Sequence, residues 1–447
     1  MYEFGESPGL DALLQLYPDL REIFDLSVNY TLWRKRYCLN MSADENVLSP
    51  LAILTYLGNS IDMYMGDKSN ERSYWGLKYL GVLEEKVHRL MGDFLETSYV
   101  DLRPINDIVA NVSVLKAFTK PGDRVIVAPL QAGIGFSRNK YSILEALGVG
   151  KIELPLNIED WNIDVDKAIK LIEEVKPRII MLGSSLYLFP HPNKELAEIA
   201  HTIGAKVLHD VAHVLGLIIG GVWENPLKLG ADVITASTHR TFPGPQGGLI
   251  AVVNERDYEE VSNVIPLFTP SYYLHRLIAI GITAVEMKIW GRDYAVQVVK
   301  NAKTLAEALA SEGFKVVLEH VGYTSSHQVA VDVSQLGRST KCATLLREAN
   351  IIVDKSILPR DKPEEARDPS GLRICTQEVT RWGMRRDEME EIARFMKMVL
   401  IDRKDPAEVR QKVIEFRKEF IQEVHYGFKI TREDEIKLLK IMLHAEV

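Results

Sequence analysis

The chain is short of cysteine and of long apolar runs, and both shortages narrow what it can be. Its 447 residues contain three cysteines, Cys38, Cys342 and Cys375, which lie too far apart to give a metal-ligand spacing. They predict reduced structural thiols and a cytoplasmic protein. No stretch approaches the roughly 18 consecutive apolar residues of a membrane-spanning helix, and the N-terminus lacks a basic region followed by an apolar one, so we expect neither membrane association nor a leader.

Positive charge is not in excess either. The formal net charge is −8, which argues against nucleic acid as the main partner. The one short basic run, "WRKRY" at 33–37, reads as the solvated face of a helix. A metal enzyme is disfavoured because no Cys-x-x-Cys occurs and because His209 and His213 lie on either side of a predicted strand end.

What the chain does have is the composition of a soluble globular protein, with 46% hydrophobic and 26% charged residues. Its length predicts two or three domains. We expect a helical N-terminal arm over residues 1–55, which packs on something else, and a large α/β domain over 56–296. Residues 297–447 are expected to form a smaller α+β domain that ends in an amphipathic helix.

The large domain is predicted from β-rich runs that alternate with amphipathic helices. Strands are expected at 123–129, 177–183, 205–210 and 231–238, and helices at 164–176 and 193–204. Asp164 is the expected N-cap of the first helix, and Gly204 has the place of a left-handed C-cap after the second. Short connections between such elements indicate parallel βαβ units in a sheet covered on both faces.

Ligands of open α/β sheets bind at the carboxyl ends of the strands. Ser185, Asp210 and the run from Ser237 to Arg240 fall at or just beyond such ends, so we expect them to converge. In the smaller domain, strands are expected at 314–321 and 327–333.

The run "HDVAHVLGLIIGG" places Asp210 at a strand terminus, with His213 three residues later. A carboxylate held there pairs well with a heteroaromatic nitrogen and keeps it protonated, as an electron-sink cofactor requires. The same pattern also suits an aspartate that caps the next turn and a histidine packed against the sheet. Taken alone, the run leaves both interpretations open.

Several segments together resemble one family. "KPRIIMLGSSLY", the run just described and "STHRTFPGPQGG" at 237–248 resemble the serine hydroxymethyltransferases, which are fold-type-I pyridoxal-phosphate enzymes. Similar landmarks follow in order between about residues 39 and 415: "LNMSADEN", "SSHQVAVDV", "IIVDKSILPRD" and "SGLRICTQEVTRWGM". The resemblance implies a large domain with a mostly parallel mixed sheet and helices on both faces, a smaller α+β C-terminal domain, and a homodimer. It also implies one-carbon transfer between serine and glycine, with pyridoxal phosphate as cofactor.

The resemblance also implies roles for individual residues. Asp210 falls at the partner of the pyridine nitrogen, Ser185 and His213 fall near the cofactor ring and its phenolic oxygen, and Ser237 and His239 belong to the cofactor-binding segment. Arg373 falls where the family binds the substrate carboxylate, a task suited to a bidentate guanidinium. Tyr64 and Tyr74 lie on the family's tyrosine-rich loop, where each is either a catalytic hydroxyl or a packed tyrosine.

The departures are as specific as the matches. Arg240 stands at the position of the Schiff-base lysine, and an arginine carries no free amine with which to form that bond. Pyridoxal phosphate is therefore expected to bind non-covalently at best. Other departures are Gly66 for the proton-handling glutamate, Asn106-Asp107-Ile108 for the Ser-Gly-Ser phosphate site, "QAGIGFSR" at 131–138 without a histidine, and "LFTPSYY" at 267–273 without a glycine. One lysine-to-arginine change alone would also suit an engineered trap for a reaction intermediate, but several changes around one cofactor favour natural divergence.

Three hypotheses follow. The chain is an active enzyme of the serine hydroxymethyltransferase type, a diverged homologue that binds a different small anion, or a non-catalytic structural or regulatory subunit. For the second, a cationic pocket is expected from Arg138, His213, His239, Arg240 and Arg373.

Overall fold

The computed structural model describes residues 9–58, 79–129, 143–271, 273–421 and 423–444. The strands are β1 (Leu39–Asn40), β2 (Tyr99–Asp101), β3 (Arg124–Val127), β4 (Gly150–Glu153), β5 (Leu156–Asn157), β6 (Asn162–Ile163), β7 (Ile179–Leu182), β8 (Lys206–Asp210), β9 (Val233–Ser237), β10 (Gly248–Val252), β11 (Lys315–Val316), β12 (Gln328–Asp332), β13 (Ile351–Ile352), β14 (Asp354–Ser356) and β15 (Gly371–Cys375). The helices are α1 (Leu10–Leu16), α2 (Pro18–Leu32), α3 (Pro50–Gly58), α4 (Leu80–Leu95), α5 (Asp107–Phe118), α6 (Ile143–Ala146), α7 (Val165–Val175), α8 (Asn193–Thr202), α9 (Leu215–Ile219), α10 (Glu255–Val264), α11 (Leu274–Ser311), α12 (Arg338–Glu348), α13 (Gln377–Arg381), α14 (Arg386–Leu400), α15 (Pro406–Arg417) and α16 (Arg432–His444).

A seven-stranded mixed sheet organises the larger part of the chain. Its order is β2-β10-β9-β8-β7-β3-β4, in which β10 runs antiparallel to both neighbours and the remaining pairs are parallel. Alternate residues of β7 pack into hydrophobic cores on opposite faces of the sheet. Ile179 and Met181 pack with α5, α6 and α10, whereas Ile180 and Leu182 pack with α4, α7, α8 and α11. Helices therefore cover both faces, and the predicted α/β fold is confirmed.

The predicted helix ends are also confirmed. The Asp164 side chain accepts a hydrogen bond from the Lys167 backbone N–H at the start of α7. Gly204, just beyond α8, has φ +73°, which a residue with a Cβ adopts only with strain. Both features come from local chain chemistry, which explains why the sequence predicted them.

A second, antiparallel sheet of order β11-β12-β15-β14 lies in the C-terminal part, and β1 pairs parallel with β13 beside it. The strand predicted over 314–321 is wrong beyond Val316. Leu318 takes a left-handed φ of +61°, and residues Glu319–Val321 form a 3₁₀ turn, so the extended conformation ends early.

The long helix α11 links the two parts. The boundary predicted at 296/297 falls inside this helix, although the core packed on the large sheet reaches Val298 and the second core begins with Ala302 along α11. The segment predicted as an N-terminal arm has two parts that differ in burial. Helices α1 and α2 bury no residue, whereas Leu39 and Met41, which follow them, belong to the second core. The domain limits stay predictions. Over the ranges given above, no helix combines the length and apolarity needed to cross a membrane.

Candidate functional site

The site lies where β8 and β9 end. Asp210 is the last residue of β8 and Ser237 the last of β9, and the loops that follow are joined through Thr241. The Thr241 hydroxyl donates to the His213 carbonyl at 2.7 Å and accepts from the Gly216 backbone N–H at 3.0 Å. The two predicted runs therefore form one connected edge of the sheet.

Asp210 is a carboxyl group held by neutral donors. The Asn111 side-chain amide donates to it at 2.7 Å and the Ala212 backbone N–H at 2.9 Å, and Asn111 in turn accepts from the Thr235 hydroxyl at 2.6 Å. Burial raises the pKa of Asp210 to about 6, and the negative charge of Asp107 adds to the rise. A cation placed against this carboxyl would lower that pKa and stabilise the ionised form.

Histidines border the same edge, and all of them are held neutral. The rings of His213 and His327 are nearly parallel, with centroids 6.0 Å apart. Burial, followed by the nearby arginine charges, lowers the pKa of His213 well below its ordinary value, that of His327 to about 3 and that of His239 to about 4. Neutral imidazoles can donate or accept a hydrogen bond here but carry no charge.

Four buried polar atoms at this edge have no hydrogen-bond partner among the described residues. Two are Nε of Arg240 and Nδ1 of His327, and the other pair is Nδ1 of His213 and the hydroxyl of Ser237. Buried polar groups are almost always paired, because leaving one unpaired costs about 1–3 kcal/mol. The pair therefore suits a polar ligand at the ends of β8 and β9.

Arg373 joins three parts of the chain from its place on β15. Its Nη1 donates to the Ser185 carbonyl at 2.5 Å, so the predicted residue Ser185 contacts it through the backbone. Its Nε and Nη2 donate to the Asp354 carboxylate at 3.3 and 2.9 Å, and Nη2 also donates to Asp44 at 3.1 Å. The guanidinium is thus fixed from several directions, with a side-chain exposure of 8%.

Arg240 is held less completely. Its Nη2 lies 3.3 Å from a carboxylate oxygen of Asp44 and 3.3 Å from one of Asp107, the first residue of α5. The Asn46 side-chain amide donates to the Arg240 carbonyl at 2.6 Å. The Nε of Arg240 is buried and has no hydrogen-bond partner in the part of the chain that the structure describes.

These ion pairs form a continuous series, Asp107–Arg240–Asp44–Arg373–Asp354, which we call the charge chain. Burial acts to raise the pKa of Asp44, but Arg373 and Arg240 outweigh it and hold that pKa below its ordinary value. Two guanidinium groups face three carboxylates, and the histidines are neutral. The expected cationic pocket is therefore wrong for the described residues, because its arginines already have carboxylate partners; Arg138 lies outside them.

The structure brings most of the predicted site residues to this edge: Ser185, Asp210, His213, Ser237, His239, Arg240 and Arg373. Tyr64, Gly66, Tyr74 and the segment 131–138 lie outside the described residues. Sequence reasoning missed Asp44, Asn111, His327 and Asp354. Three of these stand within the segments quoted for the family resemblance, whereas Asn111 is an ordinary polar residue inside α5 that no sequence signal marks.

Comparison with known proteins identifies the family to which the chain belongs. The profile of the family "Serine hydroxymethyltransferase" matches residues 19–396. The chain belongs to the serine hydroxymethyltransferase family. A protein of that name from Staphylothermus marinus is 58% identical over 432 residues, which cover 96% of this chain and 98% of the relative. Another from Aeropyrum pernix is 51% identical, with 91% and 92% covered.

A solved structure supports the same conclusion for the fold. The L-threonine transaldolase of Pseudomonas fluorescens, described in its internal aldimine state, superposes with a TM-score of 0.87 at 25% identity. The match covers 97% of this chain and 100% of the transaldolase. The fold is thus that of the fold-type-I pyridoxal-phosphate enzymes, as the sequence resemblance implied.

Proposed function

We propose that the chain is a serine hydroxymethyltransferase-type protein that binds pyridoxal phosphate non-covalently and accepts an amino acid, with Asp210 opposite the pyridine nitrogen. The observation that carries the proposal is the buried Asp210 carboxyl, whose pKa is raised to about 6 and whose hydrogen bonds come from neutral groups. A protonated ring nitrogen would supply the missing cation. Family membership supports the same cofactor.

The residues present fit the ring end of this cofactor. The Ser237 hydroxyl and Nδ1 of His213 have no hydrogen-bond partner among the described residues, and they suit the polar substituents of a pyridine ring. When bound, pyridoxal phosphate supplies the electron sink that stabilises a carbanion at the substrate. The part of Asp210 is to hold a proton on the ring nitrogen, and that of the neutral His213 is to bind and orient.

At the phosphate end the fit depends on Arg240. Asp107, in the first turn of α5, places a carboxylate at the helix terminus where an anion would otherwise be favoured. Arg240, 3.3 Å from Asp107, offsets that charge and offers a buried Nε with no partner among the described residues. Its guanidinium cannot anchor the cofactor covalently, so we expect reversible binding.

Arg373 is proposed to orient the amino-acid carboxylate. Its guanidinium is buried and fixed by the Ser185 carbonyl and by Asp354, so that little side-chain entropy remains to be lost when a carboxylate binds. Turnover between serine and glycine is expected to be slow, since no amine stands at position 240 to release the product.

Retention of the cofactor tests the proposal. The protein is incubated with pyridoxal phosphate, passed through a desalting column and assayed for retained cofactor by absorbance. The unmodified protein, called the parent below, is expected to retain the cofactor. Asp210→Asn should bind it at least about tenfold more weakly, which corresponds to about 1.4 kcal/mol. The distant control Asp332→Asn should match the parent. Asp332 pairs with the exposed Lys315 on the small sheet.

A parent that retains no cofactor would contradict the proposal. That result would favour the second candidate, a diverged homologue whose pocket holds another small ligand. The observation in its favour is the Asp107 carboxylate at the α5 terminus, which repels a phosphate dianion.

We further propose that the protein is a cytoplasmic homodimer. Helices α1 and α2 bury no residue and expose Leu16, Ile23 and Leu26 by 65%, 67% and 62%. Apolar side chains displayed in this way are typical of a surface that another chain covers. The three buried free cysteines suit a reducing compartment. Sedimentation of the unmodified protein is expected to give a dimer. A variant without residues 1–32 should form a weaker dimer, which becomes monomeric at protein concentrations where the unmodified protein is still dimeric. A monomeric unmodified protein would contradict the proposal.

A further inference from the structure

Asp44 is the shared member of the charge chain. One of its carboxylate oxygens lies 3.3 Å from Nη2 of Arg240 and the other 3.1 Å from Nη2 of Arg373. The Asp44 carboxylate therefore contacts Nη2 of both guanidinium groups at the same time. A carboxylate that approaches Nη2 of either arginine competes with Asp44 for that donor.

Asp354, the other carboxylate on Arg373, is held quite differently. It accepts the Ala43 backbone N–H at 2.8 Å, the Ser42 hydroxyl at 2.9 Å and two donors of Arg373. Its side chain is 21% exposed, compared with 50% for Asp44. Asp354 is consequently a fixed part of the site, whereas among the described residues the Asp44 carboxylate pairs with the two arginines alone and would give up those contacts on turning into solvent.

Both arginines have hydrogen-bond donors that Asp44 does not use and that a ligand carboxylate could. Within the described residues, Nη1 of Arg373 makes one hydrogen bond, to the Ser185 carbonyl, although it carries two hydrogens. The Nε of Arg240 is buried without a partner in the described part of the chain. A ligand carboxylate in the place of Asp44 would thus reach donors that Asp44 leaves unused.

We propose that Asp44 is a specificity-determining residue, an internal carboxylate that occupies the anion-binding edge of Arg373 and Arg240 and must be displaced by any carboxylate ligand. The proposal rests on the function proposed for Arg373. Since only the displaced fraction of molecules can bind, the apparent dissociation constant is the intrinsic one divided by that fraction. Even after displacement, the negative charge of Asp44 remains close and repels the ligand carboxylate.

The site should therefore discriminate between ligands according to their charge. An amino acid must displace Asp44 in order to use Arg373, whereas an amine without a carboxylate need not. The contrast between L-serine and ethanolamine, which differ by the carboxylate alone, isolates this effect.

Calorimetric titration tests the proposal without added pyridoxal phosphate, so that its outcome is independent of cofactor retention. L-serine and ethanolamine are each titrated into the parent, Asp44→Asn, Asp44→Ser and Glu45→Gln. The last is the matched control, since it removes the same charge one residue later, where the side chain pairs with Arg34 instead of the charge chain.

Both Asp44 variants are expected to bind L-serine about tenfold more tightly than the parent, a difference of about 1.4 kcal/mol, and to bind ethanolamine no more tightly. Glu45→Gln should behave like the parent with both ligands. Unchanged, weaker or undetectable binding of L-serine by both Asp44 variants would overturn the proposal. Loss of the fold in both would overturn it as well, because a displaceable side chain is not required for folding. Failure of cofactor retention, by contrast, would contradict the proposed function and leave this result to stand on its own.

Discussion

The two arginines of the charge chain have the same chemistry but unequal surroundings. Arg373 donates to a backbone carbonyl and to a carboxylate that is itself fixed by the backbone. Arg240 has two ion pairs at 3.3 Å through one nitrogen, and its buried Nε has no partner among the described residues. Arg373 is thus held rigidly from several directions, as the carboxylate-binding role proposed for it requires, whereas Arg240 is an incompletely satisfied cation.

Of the substitutions in the charge chain, removal of Arg373 should cause the largest loss in the free energy of unfolding. Arg373→Gln leaves Asp354 and Asp44 without their common cation, and breaking a buried ion pair from one side typically costs about 3 kcal/mol or more. Urea unfolding should show a loss of about 3 kcal/mol. Arg386→Gln, which removes an exposed ion pair within α14, is the control and should change the free energy of unfolding by less than about 0.5 kcal/mol. A loss below about 1 kcal/mol for Arg373→Gln would show that Arg373 is not held rigidly.

Asp354→Asn should have the next largest effect. The carboxylate accepts four hydrogen bonds, including that of the Ala43 backbone N–H. An amide can accept from only one side, so we expect about 2 kcal/mol less stability, in the range for hydrogen bonds to charged groups. Chemical unfolding measures the loss, with Asp332→Asn as the control for removal of a carboxylate; equal effects of the two would contradict the fixed role of Asp354.

Asp210 predicts a pH dependence. Its folded-state pKa, about 6, lies above the ordinary value of 3.8, so the folded chain keeps the proton where the unfolded chain has lost it. This group therefore lowers the free energy of unfolding as pH rises from about 4 to about 6, by about 1.4 kcal/mol for each unit of pKa difference. Unfolding measured across that range should show a smaller decline, or a larger increase, for Asp210→Asn than for the parent. Parallel profiles would contradict the raised pKa.

Arg240→Gln should be milder than Arg373→Gln. Its ion pairs are longer, and one partner is half exposed, so we expect a loss of about 1 kcal/mol. Since the charge of Arg240 acts to lower the pKa of Asp210, the variant should also titrate that carboxyl at higher pH, which NMR of the side-chain carboxyl can follow. A loss as large as that of Arg373→Gln would remove the distinction between the two arginines.

The smallest effect is expected at Asp44. Its carboxylate is half exposed and, in the part of the chain that the structure describes, is held by the two arginines alone, so Asp44→Asn should change the free energy of unfolding by no more than about 0.5 kcal/mol. Urea unfolding beside Asp354→Asn provides the comparison. A loss of more than about 2 kcal/mol would show that Asp44 is a fixed part of the fold.

What the sequence predicted depended on local chemistry. The cap at Asp164 and the turn at Gly204 are properties of a few neighbouring residues, and the ends of parallel strands meet at one edge of a sheet whatever else the chain does. The strand expected beyond Val316 was wrong because Leu318 takes a left-handed conformation that its residue type does not announce.

The charge chain was not predictable in the same way. Asp44, Arg240 and Arg373 come from three distant segments, and nothing near Arg240 in sequence indicates that its partners are Asp44 and Asp107. Counting positive residues at the strand ends consequently gave a cationic pocket, whereas the folded chain neutralises it. The identity of a residue was predictable, and its partners required the tertiary structure.

The most direct test of the account is the state of the cofactor on the parent chain. The protein is loaded with pyridoxal phosphate, freed of excess cofactor, treated with borohydride and examined by native and by denaturing mass spectrometry. We predict one cofactor per chain under native conditions and none after denaturation, whereas Arg240→Lys should keep it in both. A parent that carries no cofactor natively, or one that keeps it covalently after denaturation, would contradict non-covalent binding against Asp210.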